Sequence, residues 1–123
     1  MTPEEIRLHQ RSGVLELVYE DGTRFELPAE YLRVHSPSAE VQGHSPEEAV
    51  LQHGKKHVKI KDLQAQGNYA LRITFSDGHD SGIFSWTYLH DLGQNQEVYW
   101  TEYLKRLEAE GKSREPQFIA VDR

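Results

Sequence analysis

Histidine is the residue type with the most to offer chemically. Seven are spread along the chain: His9, His35, His44, His53, His57, His79 and His90. An imidazole changes charge near neutral pH and is a ready ligand for zinc, copper or iron. His53 and His57 have the i, i+4 spacing that bridges a metal on one helix face, but Gly54 stands between them and stops the helix. His79 follows Asp77-Gly78 and precedes Asp80, which puts an imidazole at a hairpin mouth beside a carboxylate. Two readings stay open there: a metal ligand or proton carrier, and a plain polar turn residue. His35 and His44 flank an irregular loop and would join His79 in a metal site only if the fold brought them to it.

Other chemistry is harder to assemble. The chain has no cysteine, which removes thiolate nucleophiles, disulfides, Cys-ligated zinc and Cys-ligated iron–sulfur clusters. Gly111-Lys112-Ser113 copies the end of a phosphate-binding P-loop. The first required glycine is Arg106, however, and the segment follows a helix instead of opening one. There is no G-x-S-x-G nucleophile elbow, and no carboxylate pair in surroundings that would separate an acid from a base. Lys55, Lys56, Lys59 and Lys61 crowd into seven positions, either as a patch for phosphate or an acidic partner, or as guards on a sheet edge. A net charge of -6 argues against general nucleic-acid binding. The start, MTPEEIRLHQ, lacks a basic region followed by an apolar stretch, and no apolar run approaches the roughly 20 residues of a membrane helix. The expected address is the cytoplasm, with no membrane partner.

The elements that must position these residues read as a single α+β domain of antiparallel hairpins, short helices and a longer C-terminal helix. Ile6 to His9 and Val14 to Tyr19 read as strands. Asp21-Gly22 is a type I′ hairpin signal, and Arg24 to Leu27 is the return strand. Pro28 suits the first position of a short helix to Arg33, and His35 to Gly43 reads as a loop. Ser45-Pro46-Glu47-Glu48 is a capping box for a helix ending at Gly54. Val58 to Gln66 and Tyr69 to Phe75 follow as strands, then Asp77-Gly78 as a second hairpin and Ser81 to Phe84 as its return. Ser85 caps a short helix closed by Gly93. Asn95 caps the longest helix, to Glu110, with Trp100, Tyr103, Leu104 and Leu107 as its apolar stripe. The domain is expected over 1–111, with 112–123 as a loosely ordered tail.

The two halves resemble each other. Tyr19-Glu20-Asp21-Gly22 through Tyr31-Leu32-Arg33 matches Phe75-Ser76-Asp77-Gly78 through Tyr88-Leu89-His90, with one residue inserted. A hairpin feeding a helix twice suggests two similar units sharing one core; two common hairpins with coincidental residues are the alternative.

Tyr31-Leu32-Arg33 through Pro37-Ser38, then Gly54-Lys55-Lys56-His57-Val58-Lys59-Ile60, then Phe75-Ser76-Asp77-Gly78-His79, occur in an order that resembles the gamma-butyrobetaine hydroxylase-like N-terminal domain family, long listed in bacteria as a domain of unknown function. The likeness runs from about Pro3 to Leu107. It implies a domain that, in full-length hydroxylases, precedes a 2-oxoglutarate- and iron-dependent oxygenase. Related domains are fused to P-loop scaffold ATPases of iron–sulfur cluster assembly. It also implies a structural zinc held by Leu-Arg-x-x-Cys-x-Cys-x-x-Cys and a distant histidine. Here Ser36, Ser38 and Val41 fall at the cysteine positions and His79 at the histidine. The expectation is therefore that the zinc is lost and no cofactor remains, unless His35, His44 and His79 rebuild a site. No histidine has an acidic residue two positions on, so the iron triad of the oxygenases is not inherited.

The reading that follows is a non-enzymatic accessory module. It binds a protein partner, linked to iron–sulfur assembly, metal handling or an oxygenase, through Arg33, His35, Ser36, Ser38, His79 and Asp80. The alternative is a metal-binding protein or small enzyme built around His79. A purely structural oligomerisation domain is a third reading, and the sequence leaves the oligomeric state open.

Overall fold

Strand β1 (Glu5–His9) pairs antiparallel with β2 (Val14–Val18), and β2 with β3 (Arg24–Pro28), giving a three-stranded sheet in the order β1-β2-β3. The chain then forms α1 (Ala29–Val34) and a single turn, α2 (Ala39–Gln42). A second sheet, β4 (Ile60–Gln66), β5 (Ala70–Phe75) and β6 (Ile83–Ser85), repeats the antiparallel order and leads into α3 (Trp86–Gln94). Helix α4 (Gln96–Ala109) closes the fold. The computed structural model describes residues 1–43 and 49–116. The expected α+β architecture is therefore the one found, and β1-β2-β3-α1 is answered by β4-β5-β6-α3.

Period-two patterning explains the sheets. Leu15 and Leu17 on β2, and Leu71 and Ile73 on β5, are buried on one face, with Leu27 and Phe84 completing that face across their ladders. Leu32 on α1 and Leu89 and Leu92 on α3 join them in one continuous core. A smaller cluster of Val34, Tyr103 and Leu107, with Trp100 against it, seats α4.

The repetition extends to hydrogen bonds. In the first hairpin the N–H of Tyr19 donates to the carbonyl of Thr23, and that of Gly22 to Tyr19. The second hairpin copies both bonds, from Phe75 to His79 and from Gly78 to Phe75. Asp21 accepts from the N–H of Thr23 as Asp77 does from that of His79. Each unit also ties its helix start to its first turn, Ala29 to the carbonyl of Gly13 and Trp86 to that of Tyr69. Between the units the bonds are reciprocal. The hydroxyl of Tyr31 donates to the carbonyl of Leu92 at 2.6 Å, and that of Tyr88 to the carbonyl of His35 at 2.6 Å. In each case the acceptor lies four residues after the opposing tyrosine.

Several local expectations are corrected. Both Asp-Gly hairpins use a three-residue loop with glycine alone at positive φ (Gly22 +90°, Gly78 +91°), whereas a type I′ turn would need two such positions. Pro28 is the last residue of β3 and caps α1 from outside, in extended conformation. The stretch read as a loop contains the α2 turn. The capping box at Ser45 lies outside the described residues, and 49–54 is not helical, so no helix runs to Gly54. Strand β4 starts at Ile60, two residues later than expected. Ser85 does cap α3, accepting from the N–H of Tyr88. Asn95, by contrast, turns its side chain back to Asp91 and leaves α4 without a side-chain cap. Helix α3 runs past Gly93 to Gln94; Gly93 is required because any Cβ there would collide with the Phe25 ring. Leu104 lies on the exposed side of α4, since the stripe of a 14-residue helix turns away from so small a cluster. The segment after Gly111 is held as far as Pro116: Arg114 makes two hydrogen bonds to the buried Glu30, at 2.9 and 2.7 Å, and its backbone carbonyl accepts from Lys56.

Each reciprocal tyrosine bond satisfies a carbonyl at a helix end. Tyr31→Phe and Tyr88→Phe should therefore each cost about 1–2 kcal/mol in urea denaturation; losses under about 0.3 kcal/mol for both would show that the bonds do not couple the units. Trp100 is only partly buried, so Trp100→Ala should cost roughly 1.5–3 kcal/mol, below the range for a fully buried tryptophan. A loss of 4 kcal/mol or more would place its ring deeper than described.

Candidate functional site

The end of α1, the turn into α2 and the second Asp-Gly hairpin meet at one place. Ser36 and Ser38 are both buried, and both hydroxyls reach Nε2 of His79, at 2.8 and 3.3 Å. Nδ1 of His79 faces a carboxylate oxygen of Glu40 at 3.4 Å. A proton on Nδ1 suits that carboxylate and leaves the Nε2 lone pair to accept from Ser36. Beside the imidazole, Arg33 donates from Nε to Asp77 at 2.9 Å and from a terminal nitrogen to Gln52 at 3.0 Å. Lys55 reaches the same Asp77 oxygen at 2.7 Å.

The local fold explains this convergence. Arg33 leaves the last turn of α1, His35 ends that helix, and Ser38, in extended conformation, opens α2. Across from them Gly78 sets the hairpin, and Asp77 fixes the backbone of His79. Gly82 is needed because a Cβ there would overlap the Ser36 hydroxyl. In the first unit the corresponding place is filled by Phe25 packed on Gly93. One end of the molecule is closed with an aromatic ring; the other is kept open for polar side chains.

Burial and charge set the protonation states. Burial is the largest influence on Asp77 and opposes ionisation, but Lys55, the His79 N–H and Arg33 together outweigh it and bring the carboxyl down to about 2. Burial, then the positive charge of Arg33, lowers the pKa of His79; Glu40 and Asp77 pull the other way. These influences together favour the neutral imidazole at neutral pH.

The other expected site residues divide. Asp80 flanks the hairpin and pairs outward with Arg72 at 3.1 Å. His35 turns into a cage of Tyr31, Tyr99 and Tyr103, where Nδ1 bonds to the carbonyl of Tyr31 at 2.8 Å. Its pKa is lowered, first by burial. With that nitrogen committed to its own helix, His35 belongs to the α1–α4 packing and not to the Ser36–His79 cluster. His44 lies outside the described residues. Nε2 of His57 lies 3.7 Å from a carboxylate oxygen of Glu115, and His57 shares no helix with His53. Lys55 and Lys56 are engaged by Asp77 and Glu115, while Lys61 lies on the edge strand β4, as an edge guard would. Glu40, Gln52 and Gly82 were not picked out in the sequence; Gly82 alone carried a signal, as a glycine beside a strand.

The residues do not fit a structural zinc. Serine hydroxyls stay protonated and bind zinc poorly, Val41 offers hydrocarbon, and the lone pair of His79 that would face a metal already accepts from serine. Among the described residues no group of three His, Asp or Glu side chains is disposed to hold a metal ion, and no helix is long and apolar enough to cross a membrane.

Both histidines have depressed pKa values in the folded protein and ordinary ones unfolded. Their stabilising neutrality is complete above pH 6.5 and is lost as the pH falls below it, because the unfolded chain then binds more protons. The thermal midpoint should therefore fall between pH 7.5 and 5.5, and less steeply in His79→Gln and His35→Gln. Equal slopes in all three proteins would show that these imidazoles are not held neutral.

Comparison with known proteins identifies the family. The family model described as "Gamma-butyrobetaine hydroxylase-like, N-terminal" matches residues 6–90. Two proteins solved by NMR in solution are similar over nearly the whole chain. One is 47% identical, with TM-score 0.82, covering 99% of this chain and 96% of the other. The second is 44% identical, with TM-score 0.79, covering 99% and 92%. A crystal structure from Acidithiobacillus ferrooxidans, described as a protein of unknown function in the DUF971 family, is 38% identical with TM-score 0.63, covering 75% of this chain and 92% of that one. No curated protein matches. On these matches the chain belongs to the gamma-butyrobetaine hydroxylase-like N-terminal domain family.

Proposed function

We propose that this domain is a non-enzymatic accessory module that docks on a protein partner through the rim of the Ser36–His79 cluster. The observation that supports this most directly is how the polar groups are spent. His79 is engaged by Ser36, Ser38 and Glu40, and Asp77 by Arg33 and Lys55. A catalytic base or nucleophile needs a free lone pair facing a substrate, and these side chains turn theirs on one another. Above them the rim is exposed and acidic: Glu40 is 71% and Asp80 53% accessible. Loops set on a rigid scaffold are where binding residues concentrate.

The resemblance implies relatives in which such domains are fused to iron–sulfur scaffold ATPases or oxygenases, and the partner is proposed from that class, in the cytoplasm. Among the described residues, the reading as a histidine metal site or small enzyme has His79, Glu40 and Asp77 to draw on at this place, and Asp77 is already held by Arg33 and Lys55. A groove of about 620 Å³ elsewhere is lined by Tyr31, Gly93, Trp100 and Arg114 among others. Its buried charge, Glu30, is already spent on Arg114.

The test is charge reversal at the exposed rim, which leaves the Ser36 and Ser38 hydroxyls and the Arg33–Asp77 pair in place. Glu40→Lys with Asp80→Lys should keep the melting temperature within a few degrees and cut recovery of the specific partners from cell extract at least about tenfold, as expected when like charges are juxtaposed at an interface. Equal recovery by folded wild type and variant would remove this rim as the docking surface.

A further inference from the structure

We propose that the serine–histidine cluster is a metal-free clasp, standing where the family's zinc would be and pinning the α1–α2 segment to the second hairpin by hydrogen bonds alone. The proposal is independent of the docking role, and its readouts are stability and metal uptake.

Three features carry it. First, three of the positions matched to the metal cluster, Ser36, Ser38 and His79, are together in space although 43 residues separate Ser36 from His79. Ser36 and Ser38 converge on the single ring nitrogen that would have faced an ion. Second, the serines also support each other, the N–H of Ser38 approaching the Ser36 hydroxyl at 3.4 Å. Neutral hydroxyls on a neutral imidazole form a closed network that needs no cation to balance charge, as clustered thiolates would. Third, Gly82 holds open the space for the Ser36 hydroxyl, at the place the first unit fills with Phe25. The second unit is therefore not a hole left by a lost ion. It is packed for the serine.

The geometry should still be readable as a metal site once ligands of the right chemistry are supplied. The triple substitution Ser36→Cys, Ser38→Cys, Val41→Cys places three sulfurs at the cluster positions with His79 as the fourth donor, a Cys3His set.

Untagged wild type should contain no stoichiometric zinc, and a chelator should leave its thermal midpoint unchanged. Ser36→Ala should lower that midpoint by roughly 3–6 °C, and Gly82→Ala should lower it too. The triple variant, titrated with cobalt(II) alone, should take up one equivalent with the absorption bands of tetrahedral cobalt–thiolate, and lose them when His79→Ala is added. Wild type carrying one zinc per chain, with a midpoint that falls on chelation, would overturn the proposal. So would a folded triple variant that binds no cobalt. Should the triple variant not fold, Ser36→Ala and Gly82→Ala decide alone: unchanged midpoints in both would show that nothing is clasped.

Discussion

Two tyrosine hydroxyls, each donating across the molecule to a carbonyl at the end of the other's helix, connect the halves of this protein. Each half by itself is a three-stranded sheet with one short helix, too little to bury an apolar face. Stacking them closes one core from Leu15, Leu17 and Leu27 on one side and Ile73, Phe75 and Phe84 on the other. The tyrosines set the angle of that stacking, because a hydrogen bond to a helix-end carbonyl fixes direction where apolar contact does not. Burial raises both phenols, Tyr88 to about 12, so neither ionises in the working pH range. Because Tyr88 holds the carbonyl of His35, it also fixes the end of α1 immediately before Ser36, and the polar cluster inherits its position from this bond.

Near-twofold repetition makes the differences between the halves informative. Thr23 and His79 occupy the same place in their hairpins, as do Asp21 and Asp77. Arg33 on α1 bonds to the second hairpin's Asp77. The first hairpin's Asp21 is held below its ordinary pKa chiefly by Thr23, with the His90 ring on α3 contributing. Only one end keeps a polar interior, and the exchange of Phe25 and Gly93 for Gly82 and Ser36 is what separates them.

Much of this was legible in the residues. Asp-Gly before alternating apolar positions announced both hairpins, and the Tyr19 and Phe75 segments announced the repeat. The resemblance to the family, through the ligand positions it implies, put Ser36, Ser38 and His79 together before any coordinates did so. What escaped depended on contacts remote in sequence. His35 looked like a partner for His79 because both flank loops; the tyrosines of α1 and α4 claim it instead. Asn95 had the right type for a cap but found Asp91 nearer. Leu104 fitted a helical stripe, but spacing does not say how wide the receiving surface is. The segment after Gly111 showed no periodicity, and order there comes from Arg114, whose partner is 84 residues away.

That last contact has a consequence for how the chain is made. Glu30 is buried at the start of α1, and among the described residues its counter-charge is Arg114. A ribosome delivers the first sheet and α1 long before residue 114 emerges. Until then a carboxylate in this position has no cation and resists burial. The amino-terminal half therefore cannot settle fully during synthesis, and a residue made near the end of the chain completes a structure begun near its start.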